Sequence, residues 1–333
     1  MLKKLFCNLQ QELKAFIYWC LVFTILRVLF ICLYSSQLPD GFDAEFGKCV
    51  RLGFRLSLKT AGLICLFSFV FTSIFSFLVK EKPRKYSVNA TEEGELYSPS
   101  QRKQKDSVYL SKTDKFRLGF HGLTLFIFSA LFYARWTYYH VFNATFNHMI
   151  INGIYDDKAA IWETIVDRYH FWDKMGGAAI MAAVFAYGFF CWIYKTGVIN
   201  LDEYTKRGKV LLGILVLFGV PTLWVYCRYG GAFSYGDSVN WESAARLTSN
   251  LLNEAVLDDG QALYRVWSNK KRLDAVHRID LSKDEIQKHI QILGGNSDSG
   301  TIDGAFERKT KGARLKNTPN NVIVILGESI GSW

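Results

Sequence analysis

Five stretches of mostly apolar residues, each about as long as a helix that crosses a lipid bilayer, constrain this sequence more than any other feature. A helix needs about 20 such residues to cross the hydrocarbon layer, because an unpaired backbone amide is not tolerated there. We therefore predict an α-helical membrane domain of five transmembrane helices. The first stretch is too long for a signal peptide and lacks a small-residue cleavage site, so it is predicted to be retained. The five predicted spans are residues 15–34, 60–79, 118–135, 175–194 and 210–226.

Basic residues in the short loops predict the orientation of these spans, since Lys and Arg resist translocation. The N-terminal tail carries three lysines, residues 80–117 have ten basic side chains against six acidic ones, and residues 195–209 have four against two. Residues 137–174, on the opposite side, have three basic side chains against five acidic ones. The N-terminus is therefore predicted to lie inside the cell, and residues 227–333 outside the cytoplasm.

The basic loops also account for the formal net charge of +10, so no nucleic-acid partner is predicted. The seven cysteines show no pairing typical of a disulfide or a metal site, and Cys49 is predicted to lie alone in a loop. His140, His148 and His170 lack the regular spacing of metal ligands. We interpret them as ordinary interfacial histidines.

Arg27 is the polar residue of the predicted spans that would cost most if it stayed unpaired in lipid. Two interpretations are open: Arg27 packs against a neighbouring helix or snorkels to the surface, or it binds a lipid phosphate. The spans otherwise show no paired charges, no helices broken by Gly and Pro and no internal repeat, which disfavours a transporter.

After the fifth span, residues 238–257 place apolar side chains largely at helical spacing, and Asp258-Asp259-Gly260 ends this pattern. A second short helix is predicted to run to the basic cluster of Lys270, Lys271 and Arg272. A Trp-bearing amphipathic stretch with a basic end suits the headgroup layer and could hold anionic lipid. It could equally pack on an outer domain.

A third helix is indicated by Ser282 and Glu285, which form a capping box, and by the Gly294-Gly295 stop. Residues 296–320 are rich in Gly, Ser, Asn and basic residues and are predicted to be a linker.

The β-branched run at residues 321–326 is typical of a buried parallel strand. A lone strand is not stable, because both of its edges need partners. We therefore expect the sequence, which ends at Trp333, to be the front part of a longer protein.

The motif Gly327-Glu328-Ser329-Ile330-Gly331 follows this strand and has three interpretations. It fits a nucleophile elbow with Ser329 as the nucleophile, but that fold requires several strands before the elbow and an acid and a His after it. Alternatively, Glu328 at the carboxyl end of the first strand of an α/β sheet binds a divalent metal. A third interpretation is that Glu328 only caps the next helix.

The segment Pro319-Asn-Asn-Val-Ile-Val-Ile-Leu-Gly-Glu328-Ser329 resembles the opening of the sulfatase-like catalytic domain of lipoteichoic acid synthases, periplasmic glucan phosphoglycerol transferases and lipid A phosphoethanolamine transferases. These enzymes belong to the alkaline phosphatase superfamily. They have five spans with the N-terminus inside, a juxtamembrane helical connector and an outer catalytic domain, which is the order predicted above. Weaker similarities lie at residues 141–148, 155–157, 162–169 and 251–264.

The resemblance implies a metal-dependent enzyme that acts on phosphodiesters or sulfate esters. In the family, a metal-activated Thr attacks the phosphodiester of a phospholipid donor, releases diacylglycerol and passes phosphoglycerol or phosphoethanolamine to a cell-envelope glycan or lipid acceptor. Glu328 corresponds to the first ligand of the divalent metal, which is expected to be Mn, Mg or Zn. The Thr and the other ligands are expected beyond Trp333, so no catalytic residue is assigned here and this chain alone is expected to be inactive. Ser329 and Ser332 are too close to Glu328 to replace the Thr.

These inferences together predict a bacterial transferase of the plasma (inner) membrane. Its predicted parts are a five-helix domain (1–227), a helical connector (228–295), a linker (296–320) and the first strand of an α/β sulfatase-like domain (321–333). The donor headgroup, the acceptor and the oligomeric state stay open. A non-catalytic membrane module that binds lipid or a partner protein is the alternative. The predicted lipid-headgroup residues are Arg27, Lys270, Lys271 and Arg272.

Overall fold

The computed structural model describes residues 2–39, 41–79, 110–147, 149–199, 204–243, 246–276, 282–296 and 302–306. Most of these residues are helical, and no strand occurs among them. The predicted strand at 321–326, with Glu328 and Ser329, lies outside the described ranges, as does His148.

Eleven α-helices occur in the described part of the chain, and five of them are long and apolar enough to cross a membrane. The five are α1, α2, α3, α6 and α7, which confirms the prediction of a multi-pass membrane protein. The helices are α1 (Leu2–Leu33), α2 (Asp43–Leu78), α3 (Lys112–Phe142), α4 (Met149–Tyr155), α5 (Lys158–Glu163), α6 (Phe171–Tyr194), α7 (Lys206–Arg228), α8 (Asn250–Val256), α9 (Asp259–Val276), α10 (Lys283–Ile292) and α11 (Ile302–Ala305).

The long helices extend beyond the apolar stretches that predicted them, and α2 shows the largest difference. It has 36 residues, which at a rise of about 1.5 Å per residue far exceeds a hydrocarbon layer of about 30 Å. Cys49 was predicted in a loop but lies in α2, where its buried thiol donates to the Leu252 carbonyl at 3.3 Å. The prediction was wrong because a helix that leaves the bilayer to contact other protein elements needs no further apolar run.

The bundle has two ends, which we call the N-terminal end, where α1 begins, and the connector end, where α8 and α9 lie. Helix α1 packs against α2 and α6, α3 packs against α6 and α2, and α7 packs along α2. Aromatic side chains fill the centre, with Trp19 and Phe23 of α1 against Phe128 of α3. Large apolar side chains such as Ile17 and Leu21 remain exposed, as expected for helices surrounded by lipid.

The continuous helix predicted over residues 238–257 is wrong. The structure has one 3₁₀ turn at Trp241–Ser243 and the short helix α8, which begins after Ser249. The Asn253 side chain binds both backbone polar groups of Leu247, at 2.8 Å from the amide and 2.7 Å from the carbonyl. This pairing competes with helical hydrogen bonds and fixes a turn before α8.

The second and third predicted helices after the fifth span are confirmed. Helix α9 carries the predicted basic cluster, and α10 begins with the Ser282 and Glu285 capping box. The predicted stop is also present, since Gly294 has φ +74°, a conformation that favours glycine at the end of a helix. The chain forms two compact units, Met1–Leu273 and Asp274–Trp333.

Candidate functional site

Arg27 binds the C-terminal end of α8. Its side chain is buried, Nε donates to the Ala255 carbonyl at 3.1 Å, and Nη2 donates to Ser57 Oγ at 2.7 Å and to the Val256 carbonyl at 3.4 Å. The last carbonyls of a helix lack partners within the helix, so a buried guanidinium is a suitable donor to them. Of the two interpretations of Arg27, the structure shows the contact with a neighbouring helix.

Arg135 of α3 binds the same turn from the other side. It is buried, its Nη2 donates to the Glu254 carbonyl at 2.9 Å, and its Nη1 lies 3.4 Å from Asp259 Oδ1. Its guanidinium also lies 4.1 Å from the centroid of the Phe30 ring. Arg27 and Arg135, which we call the arginine clamp, therefore bind the junction of α8 and α9 to two different spans.

Two buried carboxyl groups begin α9 at this junction. Asp258 accepts hydrogen bonds from the Gln261 amide at 2.9 Å and from Thr60 Oγ1 at 3.0 Å, which ties α9 to α2. Burial raises the pKa of Asp259 to about 6, against the opposing charge of Arg135. The junction thus combines helix-capping bonds with an ion pair.

A second contact fixes the connector helices to the loop that follows α3. Nη2 of Arg265 donates to Glu254 Oε2 at 2.9 Å, to Thr145 Oγ1 at 2.9 Å and to the Phe146 carbonyl at 3.1 Å. The Thr145 amide and hydroxyl also donate to Glu254. Burial acts to raise the pKa of Glu254, but the hydrogen bonds and charge of Arg265, with the Thr145 bonds, hold it below its ordinary value.

Asp259 and Glu254 are expected to change the stability of the folded protein with pH in opposite directions. The folded-state pKa of Asp259, about 6, exceeds the ordinary 3.8, so the folded protein gains stability as the pH falls from neutral through that range. The folded-state pKa of Glu254 is lowered, so its contribution is complete above the ordinary 4.5 and is lost as the pH falls further. The midpoint of thermal unfolding in detergent should therefore rise between about pH 7 and pH 5 and fall below about pH 4.

Two variants test separately the rise and the fall of the unfolding midpoint with pH. Asp259→Asn should remove the rise, and Glu254→Gln should remove the fall. A wild-type profile that is flat over the whole range would contradict both assignments.

Each of the three predicted headgroup residues on α9 lies near an aromatic ring. Basic and aromatic side chains together are typical of a membrane interface. Arg272 also forms an ion pair with Glu242. Lipid contact by these residues stays a prediction. The cation-to-centroid distances are 5.7 Å for Lys270 and Tyr155, 5.4 Å for Lys271 and Trp267, and 5.4 Å for Arg272 and Trp241.

A cavity of about 640 Å³ opens at the connector end between α1, α3 and α6. Three of its lining side chains are basic or can become so, namely His140, Arg168 and Lys174, and Trp136 forms part of the wall. Lys174 Nζ donates to Thr137 Oγ1 at 2.7 Å, which holds the ammonium group at the cavity. Within the described ranges, neither Arg168 nor Lys174 forms an ion pair with a carboxylate.

The densest group of buried titratable side chains lies instead near the N-terminal end. Arg117 of α3 donates to Glu12 Oε1 of α1 at 2.8 Å and to Asn8 Oδ1 at 2.7 Å, and its Nη1 lies 3.2 Å from Asp114 Oδ1. All four side chains are buried. We call these residues, together with Trp19, Ser68 and His121, the polar network. Glu12 and Arg117 lie just outside the predicted spans 15–34 and 118–135 but inside the helices, so the expectation about paired charges within the spans did not cover this pair.

The polar network fixes the tautomer of His121. Trp19 Nε1, which can only donate, lies 3.0 Å from His121 Nδ1, so Nδ1 accepts and Nε2 carries the proton of the neutral ring. Nε2 lies 2.9 Å from Ser68 Oγ, and the Ser68 hydroxyl donates to Glu12 Oε1 at 2.8 Å. This directed chain of hydrogen bonds joins α1, α2 and α3.

Glu328, the predicted metal ligand, lies outside the described residues and stays a prediction. Among the residues that the structure describes, no group of three or more His, Cys, Asp or Glu side chains is arranged to hold a metal ion. No family model, curated protein or solved structure matches this chain. The family resemblance therefore depends on the sequence motifs alone.

The sequence did contain a signal for several of the side chains that were missed. The buried positions of α3 recur every three or four residues, and both arginines of this helix fall on that face. An apolar stretch locates the centre of a span, whereas this periodicity extends beyond the stretch and marks the face that contacts protein. The buried residues of α3 in this series are Asp114, Arg117, His121, Leu125, Phe128, Phe132, Arg135 and Tyr139.

Proposed function

We propose that this chain is the membrane part of a bacterial phosphoglycerol or phosphoethanolamine transferase of the sulfatase-like family. The observation that carries the proposal is the sequence motif around Glu328. The arginine clamp supports it, because Arg27 and Arg135 bind the junction of α8 and α9 to two spans. With the N-terminus inside, as the basic loops indicate, this junction lies at the outer surface of the plasma membrane.

A fixed connector suits an enzyme whose donor is a phospholipid headgroup. Catalysis requires the reacting groups to be held in place, and a tether that swings freely would leave the site at variable distances from the headgroup layer. Here α8 is bound through the arginine clamp, and α9 is bound through Arg265 to the loop after α3. Both contacts are buried or half-buried, so they resist competition from water.

Glu328 is the one ligand of the divalent metal that this proposal assigns to the sequence. The described residues offer no group of ligands for it, and the family resemblance places the remaining ligands and the Thr nucleophile beyond Trp333. Bound metal would supply the positive charge that activates the nucleophile and stabilises the phosphoryl group. The arginine clamp and Arg265 would hold α8 and α9 at the headgroup layer.

The decisive experiment uses the gene read past the codon for Trp333. The full product should release labelled diacylglycerol from labelled phosphatidylglycerol or phosphatidylethanolamine, and Glu328→Ala should abolish the release. The matched control is Ser329→Ala, which should retain activity, since Ser329 is not the proposed nucleophile. Loss of activity in the Ser329 variant with retention in the Glu328 variant would favour the nucleophile-elbow interpretation. Turnover by the 333-residue chain alone would refute the claim that essential groups lie beyond it.

A non-catalytic lipid-binding module is the second candidate, and the cation and aromatic pairs on α9 favour it. Trp267 and Tyr155 are well exposed beside Lys271 and Lys270, as expected for side chains in a headgroup layer. An in-frame stop directly after Trp333, with vesicle binding that Lys270→Gln and Lys271→Gln weaken, would select this candidate over the transferase.

A further inference from the structure

We propose that the cavity between α1, α3 and α6 binds an anionic phosphodiester, with Arg168 and Lys174 as its cationic contacts. This inference does not depend on the transferase proposal, because it requires only binding. The phosphodiester could belong to a phospholipid headgroup or to a soluble phosphate ester, and the two sources share the chemistry that the cavity recognises.

Charge is the first argument for an anion. Arg168 and Lys174 bring two positive charges to one cavity, and the described residues place no carboxylate within ion-pair distance of either. His140 adds a third side chain that can donate a hydrogen bond to a phosphate oxygen. Guanidinium and ammonium groups form their strongest hydrogen bonds with phosphate and carboxylate oxygens. The cavity therefore has an excess of positive charge, which a bound anion would reduce.

The arrangement of Lys174 is the second argument. Its ammonium donates to Thr137 Oγ1 at 2.7 Å and lies 5.8 Å from the centroid of the Tyr169 ring. One donor is thus used for orientation, and an ammonium has two more. Arg168 is the last residue of the π-helical turn Thr164–Arg168, and its side chain is exposed. It can therefore approach a ligand without breaking a side-chain hydrogen bond or ion pair to the described residues.

The position and shape of the cavity are the third argument. Leu33 and His140 belong to the last turns of α1 and α3, and Lys174 belongs to the first turn of α6, so the cavity lies where these spans meet the headgroup layer. Leu33 and Val141 give its rim an exposed apolar side, which suits acyl chains. Its volume of about 640 Å³ is within the range of about 300–1,000 Å³ typical of small-molecule sites.

Native mass spectrometry of the 333-residue chain in detergent tests this inference. Dioleoyl phosphatidylglycerol, an anionic phosphodiester, should bind more tightly than zwitterionic dioleoyl phosphatidylcholine. The double variant Arg168→Gln/Lys174→Gln should bind phosphatidylglycerol roughly 30-fold more weakly. Arg168→Gln alone, which removes no hydrogen bond or ion pair to the described residues, should weaken binding roughly fivefold and guards against misfolding of the double variant.

Lys158→Gln is the matched control, because Lys158 is exposed at the start of α5 and does not line the cavity. It should leave phosphatidylglycerol binding unchanged. Equal binding by wild type and Arg168→Gln/Lys174→Gln, or an equal loss in Lys158→Gln, would overturn the proposal. Competition by millimolar glycerophosphoglycerol, a soluble phosphodiester, would assign a soluble ester as the ligand, whereas resistance to it would assign the lipid headgroup.

Discussion

Replacing Arg117 with methionine is expected to lower the free energy of unfolding by about 3–5 kcal/mol, because it leaves buried carboxylates without their cation. Arg117 is 1% exposed, and it lies 2.8 Å from Glu12 and 3.2 Å from Asp114. Methionine has a similar length, so the loss would come from charge and hydrogen bonding more than from packing. Reversible unfolding in mixed micelles, followed by far-ultraviolet circular dichroism, measures the difference.

Lys115→Met is the matched control for this prediction. Lys115 lies on the exposed side of the same helix, so its loss should change the free energy of unfolding by less than about 0.5 kcal/mol. The double variant Glu12→Gln/Arg117→Met should lose less than the sum of its two single variants, since each single change already breaks the shared pair. Equal effects of Arg117→Met and Lys115→Met would show that the polar network contributes no stability.

Gly53→Ala is expected to detach the C-terminal end of α8 from Arg27 and to lower the free energy of unfolding by about 3 kcal/mol. A Cβ atom at position 53 would lie 2.1 Å from Nε of Arg27 and 2.3 Å from its Cζ. Arg27 is 2% exposed, and its guanidinium can move only by leaving Ser57 and the α8 carbonyls. Each hydrogen bond from a charged group contributes about 1.5–3 kcal/mol. Hydrogen exchange of the α8 amides, together with the unfolding midpoint, reports the detachment.

Gly47→Ala is the control, because position 47 is in the same helix and has no atom within 4 Å of an added Cβ. It should leave α8 protected and stabilise the protein slightly, by up to about 1 kcal/mol from helix propensity. A second test replaces Arg27, the side chain that lies against Gly53. Gly53→Ala should cause no further loss in an Arg27→Met background, and an undiminished loss there would mean that the clash with Arg27 is not the cause.

The prediction from capping succeeded, whereas the prediction from periodicity failed before α8, where a side chain binds the backbone of an earlier turn. The capping box at Ser282 formed as predicted, since its bonds join residues three positions apart. The helix predicted over residues 238–257 did not form as one piece, because Asn253 binds the backbone of Leu247 and fixes a turn before α8. At the other end of α8, the last carbonyls bind Arg27 and Arg135, which periodicity did not predict. The arginines come from helices more than a hundred residues away, and spacing within the segment carries no information about them.

The sequence by itself determined the five membrane helices, because each apolar stretch must satisfy its own backbone in lipid and a helix does so with local bonds. It also determined the charge bias of the loops and the family resemblance of the segment around Glu328. Only the tertiary structure decided which charged side chains share a site. Arg27 meets Ala255, and Arg117 meets Glu12, because helix packing brings these positions together. The same packing places Arg168 and Lys174 at one cavity with the ends of α1 and α3. A buried charge is stable only beside a partner, and the partner is chosen by the packing of the helices.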